Sequence, residues 1–320
     1  MSKRTKAPFL RSPIKSQNIM FDVCLALVPV IIMSVVKFGI EALLMVLTGL
    51  VSAVFFEYLL NLIRKKEQTI KDLSACVTGL LVGLSYPVTA PLWVVVLGSF
   101  IAIVIVKGLP GGLGKNMFNP AVFSRVFIKI ILTPIMTKWV TPKPDMVSAA
   151  TPLEFLGHFQ KTAPTESFSL SDLFFGNIGG NIGETVKWSI LVGFIYLALR
   201  GVIHFWIPLT TLAGLFITAL LFGKSDYTYA LYHVLSGTAL FASVFMVTDY
   251  TSGPINPKAK FIFSLGVGIL TGVLRYTFDL PGGIGAAILI MNVLAPIVDG
   301  FNAPKVFGFS KPAPLVPPRK

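Results

Sequence analysis

One hydroxyl in this sequence stands where a phosphate-linked group can be attached. Thr151 is followed by Pro152 and then by Glu154, a pattern that predicts a helix start with Thr151 as N-cap and Glu154 closing a capping box. The free backbone N–H groups and positive dipole at a helix N-terminus suit a phosphate. Ala149 and Ala150 leave room for a bulky group beside the backbone. Thr151 is therefore a candidate for a phosphodiester-linked cofactor as well as a structural cap.

The composition places this candidate site in a membrane protein. Of 320 residues, 54% are hydrophobic and 13% are charged, whereas soluble globular chains carry about 25% charged residues. We predict an all-α polytopic membrane protein with about ten transmembrane helices. Their positions are near residues 19–36, 41–63, 73–86, 92–107, 119–133, 185–200, 205–222, 231–248, 261–277 and 284–299. The third and fifth are short and bounded by Gly or Pro, which predicts broken or re-entrant segments.

The net charge of +13 is distributed between the predicted spans rather than in one basic patch, which argues against a nucleic-acid partner. With the N-terminus inside, the inner stretches carry eighteen basic residues and the outer stretches carry seven. This asymmetry places both termini in the cytoplasm, because cytoplasmic loops are enriched in Lys and Arg. The long polar loop at 134–184 is then extracytoplasmic.

The two halves of the chain share short elements. Residues 109–114, Leu-Pro-Gly-Gly-Leu-Gly, recur as Leu-Pro-Gly-Gly-Ile-Gly at 280–285, and each copy follows a Leu-Ser-small element at 73–75 or 235–237. An odd number of spans per half predicts two inverted five-helix repeats, a transporter-type architecture. The predicted divisions are a first membrane repeat at 1–133, the loop at 134–184 and a second membrane repeat at 185–320.

The loop motif resembles that of a known family. Asp145, Ser148, Ala150 and Thr151 match the pattern Asp-x-x-Ser/Thr-Gly/Ser-Ala-Thr, which resembles the flavin-attachment motif of the RnfD/NqrB family. Ala149 departs from it, since Gly or Ser is commoner there. The resemblance implies that a dedicated flavin transferase esterifies Thr151 to the phosphate of FMN, with Asp145 and Ser148 as part of the recognised motif.

Two more segments carry the resemblance over nearly the whole chain. Residues 111–121 resemble the family's glycine-rich junction and Phe-Asn-Pro-Ala element, and residues 245–250 resemble the end of its eighth span. The chain length and the 134–184 loop favour RnfD over NqrB. Asn116 and Asn119 flank the junction and are candidates to cap a half-helix that faces a ligand. Both are candidate cofactor-binding residues. The resemblance also implies a second, non-covalent flavin (riboflavin), whose ring the backbone of the glycine junctions could approach.

Two acidic residues at membrane depth are candidates for an ion path. Glu57 lies in the second predicted span, and Asp249 lies at the inner end of the eighth. Structural alternatives are that Glu57 reaches toward Arg64 and that Asp249 caps the following turn. No metal-ligand set is predicted. Cys24 and Cys76 are interpreted as buried thiols, with one cysteine shared with a partner's iron–sulfur cluster as the alternative.

The sequence shows no nucleotide-binding domain and no nucleophile–base constellation, so the chain is expected to relay electrons rather than to oxidise a substrate itself. The resemblance implies a redox subunit of a translocase: a flavin-carrying membrane subunit that couples ferredoxin:NAD electron transfer to Na⁺ or H⁺ translocation. Its expected partners are flavin and iron–sulfur subunits in a prokaryotic inner membrane. The alternative is a small-solute channel or secondary transporter, because fold alone does not determine function.

Overall fold

The computed structural model describes residues 16–156, 168–223, 226–278 and 280–301. Within these ranges the chain is helical, and its extended pairing is limited to one isolated antiparallel bridge between Val140 and Ser148. The all-α prediction is confirmed. The helices are α1 Ser16–Phe38, α2 Ile40–Ile63, α3 Ser74–Leu84, α4 Leu92–Phe100, α5 Pro120–Ile131, α6 Thr133–Met136, α7 Pro152–Phe155, α8 Leu170–Phe175, α9 Lys187–Leu199, α10 Trp206–Phe222, α11 Tyr227–Leu235, α12 Ala239–Phe245, α13 Pro257–Thr277 and α14 Gly283–Phe301.

Four of the described helices, α1, α2, α13 and α14, are long and apolar enough to cross a membrane. The bent pair of α11 and α12 meets the same criteria as a fifth candidate. Shorter apolar helices are α3, α9, α10 and α4 with its π-helical continuation Ile101–Gly108. Each of the ten predicted spans overlaps one of these helices or α5. The chain is therefore a multi-pass membrane protein, with four to five candidate spans of full length in the part that the structure describes.

Half-length helices occur at the third and fifth predicted spans, as the sequence predicts, and also at the eighth. α3 has 11 residues and α5 has 12, and at ~1.5 Å per residue each spans about half of a ~30 Å hydrocarbon core. The span predicted at 231–248 corresponds to α11 and α12, which together qualify as one candidate span but are bent by 57°. Ser236 is extended and Gly237 has a φ of +63°, a left-handed conformation that glycine adopts without strain.

The membrane helices meet through small residues. A Cβ atom on Gly268 of α13 would lie 2.1 Å from the carbonyl oxygen of Thr211 in α10, and one on Gly79 of α3 would lie 2.4 Å from that of Gly49 in α2. Small residues allow this close approach of backbones between membrane helices. Large apolar side chains instead cover the outward faces of α1 and α2, as at Phe21, Ile32, Val51 and Phe55, which suits contact with lipid.

The repeated sequence elements occupy matching junctions. Residues 109–114 connect the π-helical segment to α5, and residues 280–285 lead into α14. Ser74 begins α3, and Ser236 lies at the break before α12. Both serines therefore stand where a half-length helix begins or resumes. Of the loop predicted at 134–184, residues 157–167 lie outside the described residues.

Candidate functional sites

The motif that precedes Thr151 forms a short hairpin. Thr141 N–H donates to the Val147 carbonyl at 2.8 Å and Ala149 N–H donates to the Trp139 carbonyl at 3.1 Å, next to the bridge between Val140 and Ser148. The predicted motif residues Asp145 and Ser148 are both exposed on this hairpin. Thr151, in contrast, is buried at 6% exposure.

Thr151 begins α7 as the sequence predicts. It is the N-cap with extended backbone, Pro152 is the first helical residue, and Thr151 and Glu154 form a capping box. The Glu154 carboxylate accepts the Thr151 backbone N–H at 3.1 Å. The structural role of this pattern is therefore confirmed, and it fixes the backbone around the candidate attachment hydroxyl.

A small apolar cluster docks the Thr151 segment onto α11. Leu153 and Leu156 are buried there, and the Tyr232 hydroxyl donates to the Phe168 carbonyl. The cluster consists of Leu153, Leu156, Leu173, Ile178, Tyr229 and Tyr232. Since two of these residues lie on α11 and two follow Thr151, the candidate attachment site is held against the membrane helices.

Charged groups are buried beneath this docked segment. Glu184 accepts hydrogen bonds from the Arg125 guanidinium at 3.3 Å and from the Asn181 amide at 3.0 Å. The Lys187 ammonium donates to the Glu184 carbonyl and, at 2.9 Å, to the Gly237 carbonyl. Burial raises the pKa of Glu184, but the charges of Arg125 and Lys187 together with the hydrogen bonds from Asn181 outweigh it and hold the pKa below its usual value. Glu184 is therefore ionised at neutral pH.

Arg275 completes this group, which we call the Glu184 cluster and define as Arg125, Glu184, Lys187, Ser236 and Arg275. The Arg275 guanidinium donates to the carbonyls of His233 and Ser236. Several polar atoms here are buried without a hydrogen-bond partner in the part of the chain that the structure describes. They are Arg275 Nε, the Ser236 hydroxyl and both ring nitrogens of His233. Leu153 Cδ2 and Arg275 Nη2 lie 2.9 and 3.7 Å from the point where a Cβ of Gly237 would stand, so Arg275 lies beside the Thr151 segment.

The Glu184 cluster was not predicted from the sequence. In the count of basic residues from the sequence, Lys187 and Arg275 are two of the seven assigned to the outer stretches. The structure instead buries them, at 0% and 5% exposure. One feature of the sequence does indicate such a cluster: these basic residues lie within or at the ends of apolar spans. Ionisable residues at membrane depth are rare and usually functional.

A cavity between the two halves of the chain brings together three residues that the sequence singled out separately. Asn116, Asn119 and Asp249 line it, and it encloses about 720 Å³ of space between protein atoms, including its open mouth. The rest of its wall is mostly apolar and includes Val77, Leu81, Val244 and Phe245.

Asn119 and Asn116 play different parts in this cavity. The Asn119 carboxamide oxygen caps α5 by accepting the N–H groups of Ala121 and Val122 at 3.1 and 3.2 Å, as predicted. Asn116 does not cap a helix. Its amide donates to the Phe118 carbonyl and its carboxamide oxygen is buried without a partner among the described residues. Asn116 therefore offers a free acceptor at the cavity.

Asp249 caps the turn that follows it, which confirms the structural alternative. Its carboxylate accepts the Thr251 N–H at 2.9 Å and the Ser252 hydroxyl at 2.9 Å, and it also accepts the Asn119 amide at 3.2 Å. Burial raises the pKa of Asp249.

Glu57 is paired, but not with the residue expected. Its carboxylate lies 2.8 Å from the Lys107 ammonium and accepts the Thr69 hydroxyl. The alternative in which Glu57 reaches toward Arg64 is wrong, because Arg64 donates to the Gly108 carbonyl instead. Lys107 comes from the π-helical end of the fourth predicted span, 50 residues away in the chain.

The two cysteines belong to no metal-binding group among the described residues. Cys24 and Cys76 are free thiols on α1 and α3, and both are half-buried, whereas the sequence predicts buried thiols. Within the described ranges, His, Cys, Asp and Glu side chains form no group of three or more that could hold a metal ion.

Comparison with known proteins decides the family. The model of the NQR2, RnfD, RnfE family matches residues 3–308. The chain belongs to this family. The resemblance drawn from the motif at 145–151, the glycine-rich junction and the segment 245–250 is thereby confirmed at family level.

Curated relatives match over nearly their full length. The chain is 35% identical to the D subunit of the proton-translocating ferredoxin:NAD(+) oxidoreductase complex of Clostridium ljungdahlii, covering 95% of both chains. It is 36% identical to the D subunit of the Na(+)-translocating complex of Acetobacterium woodii, covering 96% of this chain and 95% of the relative. The D subunit of the ion-translocating oxidoreductase complex of Yersinia pseudotuberculosis is 30% identical, with 94% and 97% covered. These names favour the electron-transport hypothesis over the solute-transporter alternative.

Proposed function

We propose that this chain is the D subunit of an ion-translocating ferredoxin:NAD oxidoreductase complex and that it carries FMN on Thr151. Similarity over nearly the full length of two proteins so named, and of a third named as the D subunit of an ion-translocating oxidoreductase complex, supports the first part. The observation that carries the second is the motif ending in Thr151, whose hydroxyl heads a capping box on a segment docked beside the cationic Glu184 cluster. The partners are the flavin and iron–sulfur subunits of the same complex.

The residues around Thr151 suit a phosphoester. FMN, when bound, supplies one- and two-electron redox chemistry, while the protein supplies position and electrostatics. Thr151 Oγ1 would form the ester bond, and the capping box would hold its backbone in place. Arg275, with a buried Nε that has no partner among the described residues, supplies positive charge on that side, which favours a phosphate anion.

The burial of Thr151 has a consequence for maturation. At 6% exposure, its hydroxyl is shielded from a second protein while Leu153 and Leu156 are docked. A flavin transferase would therefore act on the segment before it docks or when it leaves α11. The direct test of attachment is the mass of the purified chain, expected to exceed that of the polypeptide by one FMN less one water. A chain of unmodified mass that shows no fluorescence on a denaturing gel would contradict it.

The cavity between the halves is our proposed site for a second, non-covalent riboflavin. Its apolar walls suit the faces of an isoalloxazine ring, and the free carboxamide oxygen of Asn116 suits a ring N–H or a ribityl hydroxyl. Asn119 would act indirectly, because its hydrogen bonds already cap α5 and reach Asp249.

Replacing Asn116 by alanine should lower the riboflavin content and leave the covalent flavin in place. The measurement is chromatography of the flavin released by acid precipitation, beside the flavin fluorescence of the precipitated chain. Asn177→Ala is the matched control, because Asn177 is an exposed asparagine that contacts Lys37 and Asp172. Released riboflavin that is equal in both variants, or absent from the parent chain, would count against the site.

The proposed arrangement is ten spans in two inverted repeats, with both termini cytoplasmic in an inner membrane. One pair of contacts supports the repeat. The Lys107 ammonium from the fourth predicted span donates to the Ser74 hydroxyl, and the Arg275 guanidinium from the ninth donates to the Ser236 carbonyl. Thus, in each half, a cation before the glycine motif contacts the serine of the Leu-Ser-small element.

Cysteine labelling should show that the Lys107–Ser74 contact and the Arg275–Ser236 contact lie at opposite faces of the membrane. In a Cys24→Ala/Cys76→Ala background, Ser171→Cys is expected to react with a membrane-impermeant maleimide added outside intact cells. Lys66→Cys and Lys258→Cys should react only after permeabilisation, and all three positions are exposed. The reverse pattern would put Thr151 on the cytoplasmic side and overturn the orientation drawn from the basic residues.

Glu57 and Asp249 remain our proposed ion-path residues. The relative named for protons and the one named for Na⁺ are 35% and 36% identical to this chain. The choice of ion therefore depends on the oxygen atoms and charges around the two carboxylates.

A further inference from the structure

The ammonium of Lys107 lies where an oxygen-lined site would hold a cation. It is 2.8 Å from Glu57 Oε2 and 2.6 Å from the Ser74 hydroxyl oxygen. The side chains of Lys107 and Glu57 are only 5% and 6% exposed. A charged pair this deeply buried gains little net stability over apolar residues of similar volume, because both ions lose their hydration. Stability alone therefore does not account for it.

Further oxygen atoms surround the same point. The Thr69 hydroxyl donates to Glu57 Oε1 and accepts the Asn61 amide at 2.9 Å. The Ser74 hydroxyl donates to Asp72 Oδ1, so that Ser74 links Lys107 to a second carboxylate. Carboxylate and hydroxyl oxygens are hard ligands, which prefer hard cations over soft ones.

The charges around this group balance only while Lys107 is in place. The cavity beside it is lined by three acidic side chains and three basic ones, namely Glu57, Glu67, Asp72, Arg64, Lys66 and Lys107. Lys66 and Glu67 are exposed to solvent, and Arg64 is engaged by the Gly108 carbonyl. Arg64 and Asp72 are both half-buried, and the fully buried charges are those of Glu57 and Lys107. Loss of the Lys107 ammonium would therefore leave the Glu57 carboxylate as an uncompensated buried charge.

Lys107 also stands between two cavities. It lines the polar cavity at the ends of α2 and the π-helical segment, and it lines the cavity between the halves that contains Asp249. Leu113 is the other residue common to both walls. A cation that replaced the ammonium would thus lie at the boundary of the two cavities.

We propose that Glu57 is a Na⁺ site whose occupant in this conformation is the tethered ammonium of Lys107. When Na⁺ binds Glu57, Lys107 moves toward Asp72, to which Ser74 already links it. The inference rests on the proposed ion translocation and is independent of the flavin on Thr151. The competing explanation is that the pair only joins α2 to the π-helical segment.

Equilibrium binding of ²²Na⁺ to the purified full-length chain tests the proposal. Lys107→Met removes the competing ammonium and should tighten Na⁺ binding roughly tenfold or more, with one site per chain. Lys107→Arg keeps a cation in place and should bind no more tightly than the parent. Lys107→Met/Glu57→Gln lacks both charges and should bind no Na⁺. Covalent flavin should be equal in all variants, which separates this test from that of Thr151.

Folding of each variant is checked by gel filtration and by thermal unfolding in NaCl and in choline chloride. Lys107→Met is expected to be stabilised by Na⁺ but not by choline, because only Na⁺ can neutralise the carboxylate left behind. A folded Lys107→Met that binds Na⁺ no better than the parent would overturn the proposal. If Lys107→Met does not fold in either salt, the single variant Asp72→Asn tests the proposal instead. Asp72→Asn should bind Na⁺ more weakly than the parent chain, and unchanged binding would overturn the proposal.

Discussion

Replacing Thr151 by alanine is expected to abolish the covalent flavin completely and to leave the chain in the membrane. The ester bond needs the side-chain oxygen, which alanine lacks. The helices that anchor the chain do not depend on α7, whose four residues dock through a separate small cluster. The lost cap should cost about 1 kcal/mol. In-gel fluorescence under ultraviolet light after denaturation, quantified against the amount of chain, measures the outcome.

The matched control for Thr151→Ala is Ser169→Ala. Ser169 is also the N-cap of a short helix in the same loop and forms a capping box with Asp172, so its loss should destabilise the loop to a similar degree without affecting attachment. Thr151→Ser keeps a hydroxyl and should retain part of the flavin. Fluorescence that persists in Thr151→Ala, or disappears equally in Ser169→Ala, would show that Thr151 is not the attachment residue.

The features that the sequence predicted correctly are local in the chain. The N-cap at Thr151, the capping box with Glu154 and the cap of α5 by Asn119 each depend on residues within three positions of one another. Such contacts follow from residue type and spacing. Hydrophobic runs likewise indicated where the helices lie, because roughly 20 apolar residues suffice to span the membrane core.

The features that the sequence did not predict join distant residues. Glu57 meets Lys107 across 50 positions, and Arg125 meets Glu184 across 59. A single sequence shows which ionisable residues lie at membrane depth but not which of them pair. For Glu57 it therefore indicates only Arg64, which follows at the end of the same helix. The break between α11 and α12 was missed for another reason: an apolar run of suitable length conceals a bend at one serine and one glycine.

The pairing of Glu57 changes what its replacement should do. For a carboxylate without a partner, Glu57→Gln would be harmless to the fold. With Lys107 at 2.8 Å, the single change leaves a buried ammonium unpaired, and breaking a buried pair in this way costs about 3–5 kcal/mol. A loss of activity in Glu57→Gln would then not distinguish an ion-path residue from a structural one.

The double variant Glu57→Gln/Lys107→Met separates the two roles, because it removes both charges and keeps similar volumes. We expect it to assemble with normal flavin content but to move severalfold fewer ions per electron transferred, since no carboxylate remains to accept the ion. The measurement is Na⁺ or H⁺ uptake recorded together with ferredoxin:NAD electron transfer in vesicles that contain the whole complex. Asp22→Asn/Arg200→Gln is the control, because it removes another interhelical ion pair, between α1 and the end of α9, and should leave the ratio unchanged. If the Glu57/Lys107 double variant assembles with an unaltered ratio, the pair has a structural role alone and the ion passes elsewhere.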